Sequence, residues 1–191
     1  MIRIVPRQRI KHYKGEIRDI IGSIFSGCLR RGRYIKKFEK QFSEYIGAKH
    51  AIAVNSGRLA LYLILKLYNF KKGDEIILPA YNYYAIPKII QLLNLKPIFV
   101  DVDENTFTIN PFLIQNKITH KTKAIILTHI FGQPGNMKKI LYIAKKYDLR
   151  VIEDCAHALG SEYDGKKVGS FGTGIFSFEV TKHINTFGGG M

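Results

Sequence analysis

Apolar positions along this chain follow two rhythms that alternate. Ile17, Ile20, Ile21, Ile24 and Phe25 stand at helical spacing, as do Tyr34, Phe38, Phe42 and Tyr45, so two amphipathic helices are expected at the start. Short apolar runs then take over. His50 to Val54 reads as a strand, and Leu59 to Leu67 as an apolar helix opening just after Ser56-Gly57. The unit recurs as strand Glu75 to Leu78 with helix Ala85 to Leu93, and as strand Pro97 to Val102 with short helix Pro111 to Lys117. Strand Ala124 to Thr128 and helix Met137 to Tyr147 follow, then strands Arg150 to Glu153 and Gly174 to Phe178. Tyr163-Asp164-Gly165-Lys166 carries turn chemistry and joins two short extended pieces. Strands alternating with helices predict an α/β fold, a mostly parallel sheet flanked by helices.

Composition narrows the class. The chain has 191 residues, 46% hydrophobic and 24% charged, enough for one ordinary core and unlike a disordered segment. Met1 to Lys14 mixes Ile2, Ile4 and Val5 with basic residues and holds no continuous apolar stretch, so no signal peptide is expected. No run has membrane-spanning length. Cys28 and Cys155 offer neither a disulfide framework nor a zinc spacing, which points to the cytoplasm. The net charge of +15 raises the question of nucleic acid. The lysines fall as scattered doublets such as Lys71-Lys72 and Lys145-Lys146, in helix flanks and turns, which is the pattern of a solvated surface. A positive field of that size also steers anionic small molecules.

The candidate chemistry lies late in the chain. Asp154 follows the run Leu149 to Ile152, so a strand end delivers its carboxylate into a crevice. Lys182 arrives on a later loop with the hydroxyl of Ser177 five positions before it. A carboxylate can keep a pyridine nitrogen protonated, a lysine amine can condense with an aldehyde, and a hydroxyl can take a phosphate oxygen. Those are the contacts pyridoxal phosphate needs. The plainer alternatives are a strand-end carboxylate capping the next element and one more surface lysine. Ser56-Gly57-Arg58 sits where a strand becomes a helix, so free N–H groups and the helix dipole can meet a phosphate, although a bare Ser-Gly at a helix start is common.

In these segments the sequence resembles the DegT/DnrJ/EryC1/StrS aminotransferases, which act on keto-sugars. The resemblance rests on Gly47-Ala48-Lys49-His50-Ala51 with Asn55-Ser56-Gly57, Gly73-Asp74-Glu75-Ile76-Ile77, Phe99-Val100-Asp101-Val102-Asp103 and Thr122 to Ile126. Glu153-Asp154-Cys155-Ala156-His157-Ala158 and Ser177 through Lys182 complete it, in the family's order. It implies the large domain of a fold-type I pyridoxal phosphate enzyme, here over residues 49–191 after an N-terminal helical segment, 1–48. It further implies a homodimer and an amino group passed from glutamate or glutamine to a keto-sugar nucleotide.

The same resemblance assigns candidate residues. Lys182 is the nucleophile and proton carrier, and Asp154 the partner of the ring nitrogen. Tyr83 stacks on one face of the ring and Ala156 lines the other. His157 lies near the phenolic oxygen, while Ser56, Gly57, Arg58 and Ser177 hold the phosphate. The bland reading of Tyr83 is a core tyrosine, and that of His157 a structural histidine. His129 either approaches the sugar or does a structural job. No metal site is expected. Departures stand beside the matches: Arg58 replaces a usual threonine, Glu179 a usual aromatic or histidine, and Phe187-Gly188-Gly189-Gly190 lacks the usual glutamate. Met191 ends the chain at the expected entry to another strand, which leaves the C-terminal small domain absent. Two alternatives follow from different classes: a remnant or binding module without activity, or a pyridoxal phosphate-dependent sugar dehydratase, for which His183 beside Lys182 is the relevant feature. A separate C-terminal half polypeptide would complete the first reading.

Overall fold

The computed structural model describes residues 14–25 and 32–191, so Cys28 and most of the Met1 to Lys14 segment lie outside the described residues. Six helices are described: α1 (Glu16–Phe25), α2 (Arg33–Ile46), α3 (Gly57–Leu67), α4 (Ala85–Leu92), α5 (Pro111–Ile114) and α6 (Met137–Lys146). The strands are β1 (Glu75–Pro79), β2 (Lys96–Val100), β3 (Thr122–Thr128), β4 (Arg150–Asp154), β5 (Glu162–Tyr163), β6 (Lys166–Lys167) and β7 (Thr173–Ile175).

Five strands form one sheet in the order β2-β1-β3-β4-β7, and every pairing in it is parallel. Their apolar runs are continuous because helices cover both faces. Ile76, Leu78, Ala124, Ile126 and Ile152 pack with α3 and α4 through Leu61, Leu65, Ile86 and Ile90. The intervening Ile77, Ile125, Leu127 and Val151 point the other way, onto Met137, Ile140 and Ile143 of α6. That is the two-residue period of a strand read on both faces at once. Most of these side chains have no exposed surface, and each such Leu or Ile contributes roughly 1.5–3 kcal/mol by leaving water.

Local signals set the ends of the elements. Ser56 caps α3, its Oγ accepting from the Leu59 N–H at 3.2 Å, and Asn136 caps α6 through Lys139 N–H at 3.1 Å. Gly47 ends α2 in the left-handed region at φ 79°, which costs a glycine little. Phe42 and Ile46 of α2 are buried in a third cluster with Phe176, Phe178 and Met191, so this helix packs on the segment that follows β7. The pair β5 and β6 is the antiparallel hairpin expected around Asp164-Gly165.

One expected strand is absent. Residues 50–54 form no ladder beyond a single bridge from Val54 to Gly190, and Ala51 and Ala53 are apolar because they pack against the third cluster. The last expected strand is shorter than read, since Phe176 exchanges backbone hydrogen bonds with Met191 and the Phe178 N–H donates to the Gly189 carbonyl instead of extending β7 along β4. Among the described residues no helix is long and apolar enough to cross a membrane.

Candidate active site

The carboxyl ends of β1, β3, β4 and β7 open into one cleft of about 770 Å³. This is where ligands enter parallel α/β sheets, since loops diverge there and helix N-termini point inward. All nine residues singled out from the sequence line it: Ser56, Gly57, Arg58, Tyr83, Asp154, Ala156, His157, Ser177 and Lys182. They come from five separate stretches of chain, brought together by the sheet order.

Asp154 terminates β4 and is only 5% exposed. Its Oδ1 accepts a hydrogen bond from the Ala156 N–H at 3.1 Å. Burial pushes the Asp154 carboxyl up from its ordinary range, against the lowering pull of that hydrogen bond and of the neighbouring His129 and Lys182. Burial costs the ionised form more than its neighbours return. The carboxylate is therefore short of a cationic partner.

Lys182 lies on an irregular segment held by its own side chains. Glu179 Oε2 accepts from Thr181 N–H at 3.1 Å and Thr181 Oγ1 at 2.6 Å, and the Lys182 N–H donates to the Glu179 carbonyl at 2.9 Å. The hydrogen bonds from Thr181 hold the Glu179 carboxyl below its usual range, with the nearby ammonium of Lys182 adding to them.

At the other end of the cleft, three stretches of backbone converge. Ser56 bridges to Gly189, and Ser177 to Gly190. A Cβ on Gly57 would meet the Phe176 carbonyl at 3.2 Å and Ser177 Cβ at 3.4 Å, and one on Gly190 would fall 2.5 Å from the Gly57 nitrogen. Only glycine fits such an approach. The result is a tight backbone junction at the start of the eleven-residue helix α3, where N–H groups are free of intrahelical partners and could meet an anion.

His157 is half-buried and stacks on Phe131, with ring centroids 5.9 Å apart and planes 5° from parallel. Burial pushes its pKa down first, and the charges of Lys182 and His183 push it the same way. It is the neutral imidazole that faces the cleft at neutral pH. His129, by contrast, is fully buried and does not line the cleft. Its Nδ1 accepts from the Gly135 N–H at 3.2 Å, so the hydrogen is carried by Nε2, which donates to Glu153 Oε2 at 3.2 Å. Of the two roles open to His129 from sequence, the structural one holds.

His129, Glu153 and Cys155 bring three donor atoms within 4.8 Å of one another. Both histidine nitrogens are engaged as described, and Glu153 accepts backbone N–H groups of Gly169, Phe171 and Gly172 at 2.7–2.8 Å. Burial and the adjacent carboxylates of Glu153 and Asp154 raise the Cys155 thiol well above its usual value, which keeps it protonated. The grouping braces the turn after β4.

Sequence reading passed over other cleft residues. Thr128, at the end of β3, and Asn82, in the loop after β1, both line the cleft, and both carry a buried polar atom without a hydrogen-bond partner. Tyr81 and Phe131 form an aromatic rim with Phe107, tilted at centroid distances of 6.2 and 6.4 Å from Tyr81. The position of Thr128 at the carboxyl end of a central strand was the available signal.

A parallel sheet with helices on both faces and this cleft at its strand ends is the large-domain architecture of fold-type I pyridoxal phosphate-dependent transferases. The sequence model of the DegT/DnrJ/EryC1/StrS aminotransferase family matches residues 11–191, and the chain belongs to that family. It is 43% identical over 174 residues to the dTDP-3-amino-3,6-dideoxy-alpha-D-galactopyranose transaminase of Aneurinibacillus thermoaerophilus, covering 90% of this chain and 48% of that one. The structure of an aminotransferase from Psychrobacter cryohalolentis superposes with a TM-score of 0.90 at 36% identity, over 94% of this chain and 46% of that one. An E. coli GDP-4-keto-6-deoxy-D-mannose-3-dehydratase with bound hydrated PLP superposes at 0.91 with 33% identity, over 97% and 49%. The chain spans about half the length of the relatives it matches.

Proposed function

We propose that this chain is the cofactor-binding part of an aminotransferase that moves an amino group from glutamate or glutamine to a keto-sugar nucleotide, using pyridoxal phosphate. The observation that carries the reading is that Asp154 and Lys182 line one cleft, with the anion seat of Ser56, Gly57 and Ser177 in the same cavity. The residues fit the cofactor. A buried carboxylate short of a cation suits a protonated ring nitrogen, and free N–H groups at a helix start suit a phosphate. When bound, pyridoxal phosphate supplies an aldehyde and a ring able to take up an electron pair from a substrate carbon.

The chain's own residues do the rest. The N–H groups of Gly57 and Arg58 would hold the phosphate, and the Arg58 guanidinium could pair with it where the family's usual threonine would offer a hydroxyl. Asp154 holds the proton on the ring nitrogen. Tyr83 and Ala156 line the cleft and would restrict the tilt of a bound ring and exclude water from it. Neutral His157 donates a hydrogen bond toward the phenolic oxygen. Lys182 would be the amine available to the aldehyde and the base that accepts and returns the substrate proton, a role worth on the order of 10²–10⁴ in rate.

The sugar substrate is inferred from relatives such as the dTDP-sugar transaminase, and the basic surface would steer its phosphates. A homodimer and a C-terminal half that completes the site belong to the same proposal. The dehydratase reading draws on a solved relative and on His183. Amino transfer is preferred because Lys182 lines the cleft and His183 does not.

The test is to add pyridoxal phosphate, reduce one sample with borohydride and map the labelled residue, and in a separate unreduced sample to add glutamate and follow conversion of the cofactor to its amine form. Label on Lys182, lost in Lys182→Ala, is expected. Label scattered over surface lysines would overturn the reading.

A further inference from the structure

Phe131 holds a backbone conformation that a bulky residue rarely adopts, φ 51° and ψ 26°, in the short turn Ile130–Gly132 after β3. Such a conformation costs stability, and it persists only where the surroundings impose it. Core packing does not repay that cost, because the Phe131 side chain is 71% exposed. The turn is instead tied down from outside the ring. Gln133 N–H donates to the Ile130 carbonyl at 2.8 Å, and Ser161 Oγ donates to the Gly132 carbonyl at 2.8 Å. A Cβ on Gly132 would lie 3.5 Å from the His157 carbonyl, so the turn rests directly on the stretch that follows β4.

The strained turn sets the phenyl ring parallel to the imidazole of His157, 5° between planes and 5.9 Å between centroids, and both side chains line the cleft. Among the described residues the His157 ring makes no hydrogen bond, so the flat face beside it is the contact that sets its plane. That face also keeps water off the imidazole, in line with the burial that lowers the His157 pKa ahead of the charges on Lys182 and His183.

We propose that Phe131 is a positioning residue for His157: the left-handed turn after β3 presents its ring as a platform that fixes the plane of the imidazole at the cleft wall. A histidine so held offers the same nitrogen edge to a ligand each time one enters. The consequence for the cofactor, a hydrogen bond aimed steadily at its phenolic oxygen, rests on the reading of the cleft as a pyridoxal phosphate site. The stack itself does not. The sequence motifs left Phe131 without a role, and its exposure and backbone strain are explained together by this one.

The experiment follows the His157 imidazole protons by NMR across pH in the full chain, the signal being identified by its loss in His157→Gln. Phe131→Leu keeps an apolar side chain and removes the flat face, while Phe131→Tyr keeps the face. Phe131→Leu should abolish the ring-current shift of the His157 signal and move its midpoint up toward 6.5, and Phe131→Tyr should retain both wild-type values. Phe131→Gly should behave like Phe131→Leu at His157 yet melt no lower than wild type, because glycine accepts a positive φ at little cost. An unchanged His157 signal in Phe131→Leu would overturn the positioning role, as would a lower Tm for Phe131→Gly with His157 unaffected. Absorbance titrations separate the second step: Phe131→Leu should lose roughly 2- to 10-fold in pyridoxal phosphate affinity, the size of one hydrogen bond, and nothing for the 3-deoxy analogue that lacks the phenolic oxygen. Equal losses for both ligands would overturn the link to the phenolic oxygen. Failure of the wild-type protein to bind either, with the His157 responses as expected, would overturn the cofactor reading and leave the platform standing.

Discussion

Glu153 and His129 form a fully buried pair, Oε2 to Nε2 at 3.2 Å, directly behind the strand end that carries Asp154. The carboxylate of Glu153 also accepts three backbone N–H groups from the turn ahead of β7. One side chain thereby fixes the loop after β3, the end of β4 and the approach to β7. Glu153→Gln keeps the shape but leaves one acceptor oxygen for four donors, and a network of this kind broken at one member costs about 3–5 kcal/mol. Thermal melts should show Tm lower by roughly 2–4 °C for each kcal/mol lost. An unchanged Tm would mean that the pair does not brace the site.

The contact of Gly57 with Phe176 and Ser177 sets a second expectation. In Gly57→Ala the new methyl meets a backbone carbonyl at 3.2 Å, so the anion seat must open. Overpacking of this order costs about 1–3 kcal/mol. Pyridoxal phosphate should bind about 10-fold more weakly while pyridoxal, which has no phosphate, binds as before. Equal weakening of both would place the damage elsewhere.

Asp154 gives a prediction whose sign depends on pH. Its carboxyl is raised by burial, so between the ordinary value of 3.8 and the raised one the folded protein holds more protons than the unfolded chain. Its contribution is therefore favourable below 3.8 and is lost as pH rises through the raised value. Without cofactor, Asp154→Asn should melt a few degrees higher than wild type at pH 7, and that gain should vanish in acid. The same variant should lose the spectral signature of a protonated bound ring. A variant less stable than wild type at pH 7 would contradict the account.

His157 titrates with the opposite sign. Its folded pKa lies below the ordinary 6.5, chiefly through burial, so as pH falls past 6.5 the unfolded chain takes up a proton before the folded protein does. Stability falls with pH through that window until the folded value is passed. Denaturant melts at pH 7 and pH 5 should show a smaller acid loss for His157→Gln than for wild type. Identical losses would mean that His157 is not held neutral.

Most of this architecture was legible because each central strand is apolar on both faces and each helix on one. Ile76 to Leu78 and Ala124 to Leu127 could be nothing but buried strand once helices followed them. The segment 50–54 misled because Ala51 and Ala53 bury their methyl groups against aromatic side chains of the third cluster, a contact that leaves the same local pattern as a sheet. That the nine candidates would meet in one cleft was legible through motif order. Thr128 was legible only as the end of an expected strand, since its register with Asp154 is encoded by no local stretch of sequence. Phe131, with φ 51°, was equally hidden, because a bulky residue reaches that conformation only through its surroundings.

The loop bearing Lys182 is tied at its neck: Phe178 and Gly189 are joined by a backbone hydrogen bond of 3.0 Å, and Gly189 and Gly190 are pinned to Asn55 and Val54. The lysine thus hangs from a closed collar whose rim is also the floor of the anion seat. Under the proposed function its amine could swing from one bonding partner to another while the collar stays shut, so a tether that moved protons would not loosen the seat proposed for the phosphate.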